Sequence, residues 1–131
     1  MSPNRFLRLI LSFDAASCLG LGLIAAVGAK ALSPLLGLSA GLLSAAALLL
    51  LPLGLFVAWL ASRSEPPRPL VWALIAGNVL WTAESFFLIG QSEGAITALG
   101  SAFVAGQALA VLGLALLEYA GLRKVHVAAT A

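Results

Sequence analysis

The two residue types on which metal binding and nucleophilic catalysis most often rest are nearly missing from this chain. There is one cysteine, Cys18, and one histidine, His126, in 131 residues. A lone cysteine excludes an intramolecular disulfide and a paired redox centre. A lone histidine excludes a bis-histidine haem site within one chain. No group of His, Cys and carboxylates has the spacing of a zinc or di-iron centre. Glycine-rich stretches such as Gly20-Leu21-Gly22 lack the preceding strand and following Lys-Ser/Thr of a phosphate loop. Charge is scarce as well: Asp, Glu, Lys and Arg make up 9% of the chain, against about 25% in a soluble domain. The sequence therefore predicts neither an enzyme nor a cofactor-binding module, and nothing in it points to nucleic acid.

What is abundant is apolar. Hydrophobic residues are 62% of the total and the mean hydropathy is +1.09, which marks a membrane protein. The apolar residues fall in four blocks, near Leu7–Ala29, Ser39–Ala61, Leu70–Gly90 and Ile96–Leu122. Each is long enough to cross a hydrocarbon core of about 30 Å. Only short connections and two short ends remain, so residues 1–131 read as a single transmembrane domain. Ser33-Pro34, Ser64-Glu65-Pro66-Pro67-Arg68-Pro69 and Gln91-Ser92-Glu93-Gly94 mark the three turns. Connections this short make neighbouring helices antiparallel. The expected fold is all-α, an integral membrane up-down four-helix bundle. Ala15-Ala16-Ser17 before Cys18 faintly resembles a lipoprotein cleavage box and Val27-Gly28-Ala29 a signal-peptidase site, but the apolar run that either needs contains Asp14.

The net charge of +2 matters less than its placement. Arg5 and Arg8 begin the first block, Arg63 and Arg68 lie between the second and third, and Arg123 and Lys124 follow the fourth. Lys30 alone is on the opposite side, where Glu93 also lies. The positive-inside rule then places both termini in the cytoplasm, with acidic lipid headgroups as partners of the basic flanks. Phe6, Trp59, Trp72 and Tyr119 fall near the same interface.

A shift of 63 residues sets Leu36-Gly37 on Leu99-Gly100 and Ser44 on Gln107, a pattern that two parallel helical-hairpin repeats would give. Small residues suggest close-packed seams. They are Asp14, Cys18, Gly22 and Ala26; Gly37, Gly41 and Ala45; and Ala102, Gly106 and Ala110. Pro52 is expected to kink the second helix at the Leu48 carbonyl.

Against this apolar background the intramembrane polar residues stand out: Asp14, Ser44, Asn78, Trp81, Thr82, Glu84, Ser85 and Gln107. At 1.5 Å per residue, Asp14 and Asn78 lie at similar depths, while Ser44 and Gln107 lie near the midplane. At 100° per residue, Asn78, Thr82 and Ser85 share one stripe and Glu84 is turned about 120° from Asn78. Asp14 is expected to bond Asn78, Ser44, Gln107 or Ser17. Glu118 is expected near the cytoplasmic end of the fourth helix, within reach of Arg8 or Arg123. His126 is expected to be solvated.

Gly77-Asn78-Val79-Leu80-Trp81 and Gly106-Gln107-Ala108-Leu109-Ala110-Val111, with Leu36-Gly37 and Leu99-Gly100, resemble a group of small, uncharacterised four-span bacterial membrane proteins. The resemblance implies a location in the inner membrane and brings no activity. Small multidrug-resistance transporters share the four spans and an early acid, but their other motifs are missing here. Two functions are expected from the residues. The first is a small non-enzymatic inner-membrane protein acting through helix–helix association, as a homo-oligomer or within a larger membrane complex. The second is a dimeric, proton-coupled transporter of a small or cationic compound that uses its intramembrane carboxylates.

Overall fold

Long runs of Leu, Ala and Gly carry no internal signal that stops a helix, so capping residues set the boundaries. The computed structural model describes residues 2–130 and contains four α-helices: α1 (Pro3–Leu36), α2 (Ala40–Ser62), α3 (Arg68–Gln91) and α4 (Ala98–Thr130). Ser2 and Ser39 accept from Arg5 N–H and Leu42 N–H to cap α1 and α2. A serine hydroxyl at this position satisfies a donor that the first turn leaves open. Gly37, at φ 71°, closes α1 in the left-handed conformation, and its N–H donates to the Ser33 carbonyl. Glycine occupies that region without a Cβ clash. All four helices are long and apolar enough to cross a membrane.

Two boundaries differ from the hydropathy blocks. α1 runs unbroken through Ser33-Pro34, and α4 continues to Thr130. Both are about 50 Å long at 1.5 Å per residue, against about 35 Å for α2 and α3. Hydropathy marks where apolar sequence stops, whereas α1 runs on to its Gly37 cap. Leu36-Gly37 therefore ends α1, while Leu99-Gly100 lies in the first turn of α4. The two dipeptides matched by the 63-residue shift thus hold different structural positions.

The helices are antiparallel in chain order. Arg8 Nε donates to the Ala61 carbonyl across α1 and α2. A Cβ on Gly121 of α4 would meet Leu7 of α1 at one end. At the other end, Thr97 N–H donates to the Leu36 carbonyl just before α4 begins. Thr82 and Trp81 of α3 bond Ala108 and Gln107 of α4. α1 packs on both α2 and α4, and α3 packs on α4. α2 and α3 do not pack along their lengths. The bundle is thus open on one side, although the connection of residues 63–67 is short.

Burial follows a 4–3 alternation on each helix. On α1 it takes in Leu7, Leu11, Asp14, Cys18, Gly22, Ala25 and Ala29, and on α4 it takes in Val104, Ala108, Ala115, Glu118 and Leu122. This spacing keeps side chains on one face of slightly inclined helices. A strict step of four drifts by about 40° each time, and that corrects the seams expected from small residues. Ala26, Gly41, Ala45, Ala102, Gly106 and Ala110 are all exposed. On α1 the expected Asp14, Cys18 and Gly22 are buried, and the close approach of α1 and α2 uses Gly22 together with Gly54, which was not among the expected residues. A Cβ on Gly54 would come within 2.7 Å of Leu19 and 3.2 Å of Cys18. Gly77 and Gly106 have nothing within 4 Å of an added Cβ. Gly77→Ala and Gly106→Ala should each gain up to about 1 kcal/mol of helix stability. Gly54→Ala should lose stability because Leu19 must move. Unfolding midpoints of the three variants in one detergent check this ordering.

The end that bears Ser2, Thr130 and residues 63–67 gathers the basic and aromatic side chains. Lys124 lies 4.1 Å over the Phe6 ring and Arg63 lies 5.4 Å over Trp59. Trp72 meets Tyr119 edge-on at 5.7 Å. Because α4 extends past Leu122, His126 is a helical residue, and its Nδ1 lies 2.9 Å from Arg68 Nη1.

Candidate functional site

An amide nitrogen carries two hydrogens, and Asn78 uses them on two different helices. Its Nδ2 donates to Asp14 Oδ2 on α1 at 3.0 Å and to Glu118 Oε1 on α4 at 2.9 Å. All three residues are buried, Asp14 at 2%, Asn78 at 5% and Glu118 at 0% exposure. Asp14 Oδ1 accepts from the Cys18 thiol at 3.5 Å. One side chain thus ties α3 to both α1 and α4. Among the described residues Glu118 Oε2 has no hydrogen-bond partner.

Glu118 departs from its sequence-based placement at the interface, within reach of Arg8 or Arg123. Arg8 instead donates to a backbone carbonyl, Arg123 is exposed, and Glu118 is sealed in the interior. The extension of α4 explains this. Asp14 lies eleven residues from Pro3, Asn78 ten from Arg68, and Glu118 twelve from Thr130. At 1.5 Å per residue all three sit about 15–18 Å from the basic end. The 4–3 seam through Val104, Ala108 and Ala115 reaches Glu118 as its next position. That signal is present in the sequence.

A second polar layer lies one turn further from the basic end. Trp81 Nε1 donates to Gln107 Oε1 at 2.8 Å. Gln107 Nε2 donates to Ser85 Oγ and to the Val104 carbonyl, each at 2.9 Å. Ser85 donates back to the Trp81 carbonyl at 2.8 Å. Between the layers, the Thr82 hydroxyl lies 2.9 Å from the Asn78 carbonyl and 3.2 Å from that of Ala108. Asn78, Thr82 and Ser85 are buried along one face of α3. In an apolar interior such groups need partners, because an unmet polar group costs about 1–3 kcal/mol.

Ser44 and Glu84 lie outside these layers. Ser44 is exposed, one residue beyond the buried Leu43, which turns it about 100° off the α2 seam. Glu84 is exposed and faces the open side of the bundle.

That open side holds two cavities. One, of about 300 Å³, is lined by Asp14, Cys18, Asn78 and Trp81. The other, of about 460 Å³ and further from the basic end, is lined by Glu84, Ser85, Phe87 and Phe103. Leu21, Leu50, Trp81 and Gln107 border both. The surfaces are mostly apolar, with one carboxyl in each cavity. Among the described residues no group of three His, Cys, Asp or Glu side chains is placed to hold a metal ion. Comparison with protein-family models, with curated proteins and with solved structures found no match to this chain.

Proposed function

We propose that this chain is a small, non-enzymatic, multi-pass protein of the bacterial inner membrane that acts by helix–helix association. Both termini face the cytoplasm in this reading, supported by the basic and aromatic collar at that end. The observation that carries the association is the unclosed α2–α3 side, with Glu84 exposed on it. A charged side chain on a lipid-facing helix is costly, up to about 2.5–3.5 kcal/mol at the helix centre on insertion scales and less towards the ends. A transmembrane helix of a second copy, or of a larger membrane complex, would cover the cleft and supply Glu84 with a polar partner. Purification of the full chain in a mild detergent tests this. The expected result is a complex larger than one chain that Glu84→Leu weakens. A clean monomer with nothing co-purifying would count against association.

A second reading is favoured by the placement of Asp14 and Glu84 in adjoining cavities. It is a dimeric, proton-coupled transporter of a small or cationic compound. Two carboxyls in a mostly apolar cleft suit a cation with an apolar body. In proteoliposomes, pH-driven uptake of such a compound is expected to be lost in Asp14→Asn. Unchanged flux in that variant would remove Asp14 from any coupling role.

A further inference from the structure

The Asp14–Asn78–Glu118 cluster is incomplete as a set of hydrogen bonds. Asn78 has spent both N–H groups on the two acids, and the Cys18 thiol reaches only Asp14. Glu118 Oε2 remains without a donor in a side chain that is 0% exposed. The 3.0 Å and 2.9 Å legs to one nitrogen keep the two bonded carboxyl oxygens within about 6 Å of each other. Neither acid has a basic side chain among these partners. α2 contributes no titratable side chain between Ala40 and Ser62. Ionised carboxylates only accept hydrogen bonds, so two of them this close supply no donor for Glu118 Oε2.

We propose that Asp14 and Glu118 form a proton-binding site, in which one proton on Glu118 Oε2 is donated to the Asp14 carboxyl. This single proton supplies the one donor that the cluster lacks. It turns two separately bonded acids into a hydrogen-bonded pair that spans α1 and α4, with Asn78 of α3 bridging both. The proton comes from water and returns to water, and no other bond changes. Asp14 borders the 300 Å³ cavity and is the point of exchange, while Glu118 is the sealed inner partner. The amide hydrogens of Asn78 fill with donors the side on which a metal cation would need oxygens. The site does not depend on transport or on association, since a proton can be bound without being carried.

Infrared spectroscopy of the full chain in detergent or lipid nanodiscs tests the proposal at neutral pH. The wild type should show the C=O stretch of a protonated carboxyl, shifted to lower frequency in heavy water. Glu118→Gln should lose that band, because its amide can donate to Asp14 in place of the proton. A proton held only by the folded state stabilises it, and that stabilisation disappears as pH rises past the point of release. The melting temperature of the wild type should therefore fall with rising pH more steeply than that of Glu118→Gln. If Glu118→Gln fails to fold, Asp14→Asn serves for both measurements. Three results would overturn the site: no protonated-carboxyl band in the wild type, a band that survives substitution, or equal pH slopes. A wild type that lacks the band but is stabilised by sodium at fixed pH would assign the cluster to a cation instead. Flux lost in Asp14→Asn with no infrared band would separate transport from this site, and an intact band with no flux would do the reverse.

Discussion

Asn78→Leu should destabilise the bundle by about 3 kcal/mol, from two bonds to acidic groups at about 1.5 kcal/mol or more each. Interhelical bonds between membrane helices average only about 0.6 kcal/mol, because the separated helices find other partners. The larger figure applies here because the acceptors are buried at 2% and 0% exposure and no other side-chain amide or hydroxyl bonds to them. Leucine fills the space of the amide but offers neither hydrogen. It therefore leaves Asp14 and Glu118 facing each other unbridged. Thr82→Val is the matched control. Its hydroxyl shares one hydrogen between two carbonyls, one of them on its own helix, so its loss should cost under about 1 kcal/mol. Unfolding of both variants with increasing SDS in mixed micelles gives the comparison. Equal losses would mean that Asn78 is an ordinary interhelical bond.

Gly100→Ala should cost about 2 kcal/mol through overpacking, reversing the usual gain of about 1 kcal/mol for that change inside a helix. Gly100 sits where α4 begins against the end of α1. An added Cβ would run into the Leu36 carbonyl oxygen, with the Leu36 carbonyl carbon at 2.8 Å and Ile96 Cγ2 at 2.9 Å. The nearest atoms are backbone, and that backbone is held in place. Thr97 N–H donates to the same carbonyl at 3.1 Å, and the Thr97 hydroxyl donates to that of Leu35 at 2.7 Å. The helices must part for the methyl to fit. Thermal unfolding beside Gly106→Ala, whose Cβ enters open space, isolates the clash from helix propensity.

Composition made the four apolar helices legible, and the short turns made their antiparallel order legible. Helical angle alone separated Asn78, Thr82 and Ser85, which are buried, from Glu84, which is exposed. Depth counting set Asp14 beside Asn78, and the two are bonded. Glu118 escaped because its depth was counted from the end of the apolar run, whereas α4 continues two turns beyond it. Of the small-residue seams, Asp14, Cys18 and Gly22 on α1 are buried, while Ala26 and the seam residues on α4 are exposed, because Gly and Ala are too common here to mark a face. Packing follows the 4–3 alternation, which includes Leu and Val as readily as glycine. The open side was not legible at all. Turn length limits how far apart two helix ends can lie, but it says nothing about how the helices diverge from there.

That divergence gives the molecule a dimension set at one point. Residues 63–67 connect α2 and α3, and Pro66 and Pro67 stiffen that link just before Arg68 opens α3. Five residues can reach no further than about 20 Å at roughly 3.5 Å per residue. At the far end each helix is tied to a different neighbour, α2 to α1 and α3 to α4, so no connection there limits their separation. The volumes follow suit, about 300 Å³ towards the turn and about 460 Å³ away from it. α1 and α4 thus lie between α2 and α3, which share one short connection. The length of that turn bounds the opening at its own end, where Pro66 is itself buried.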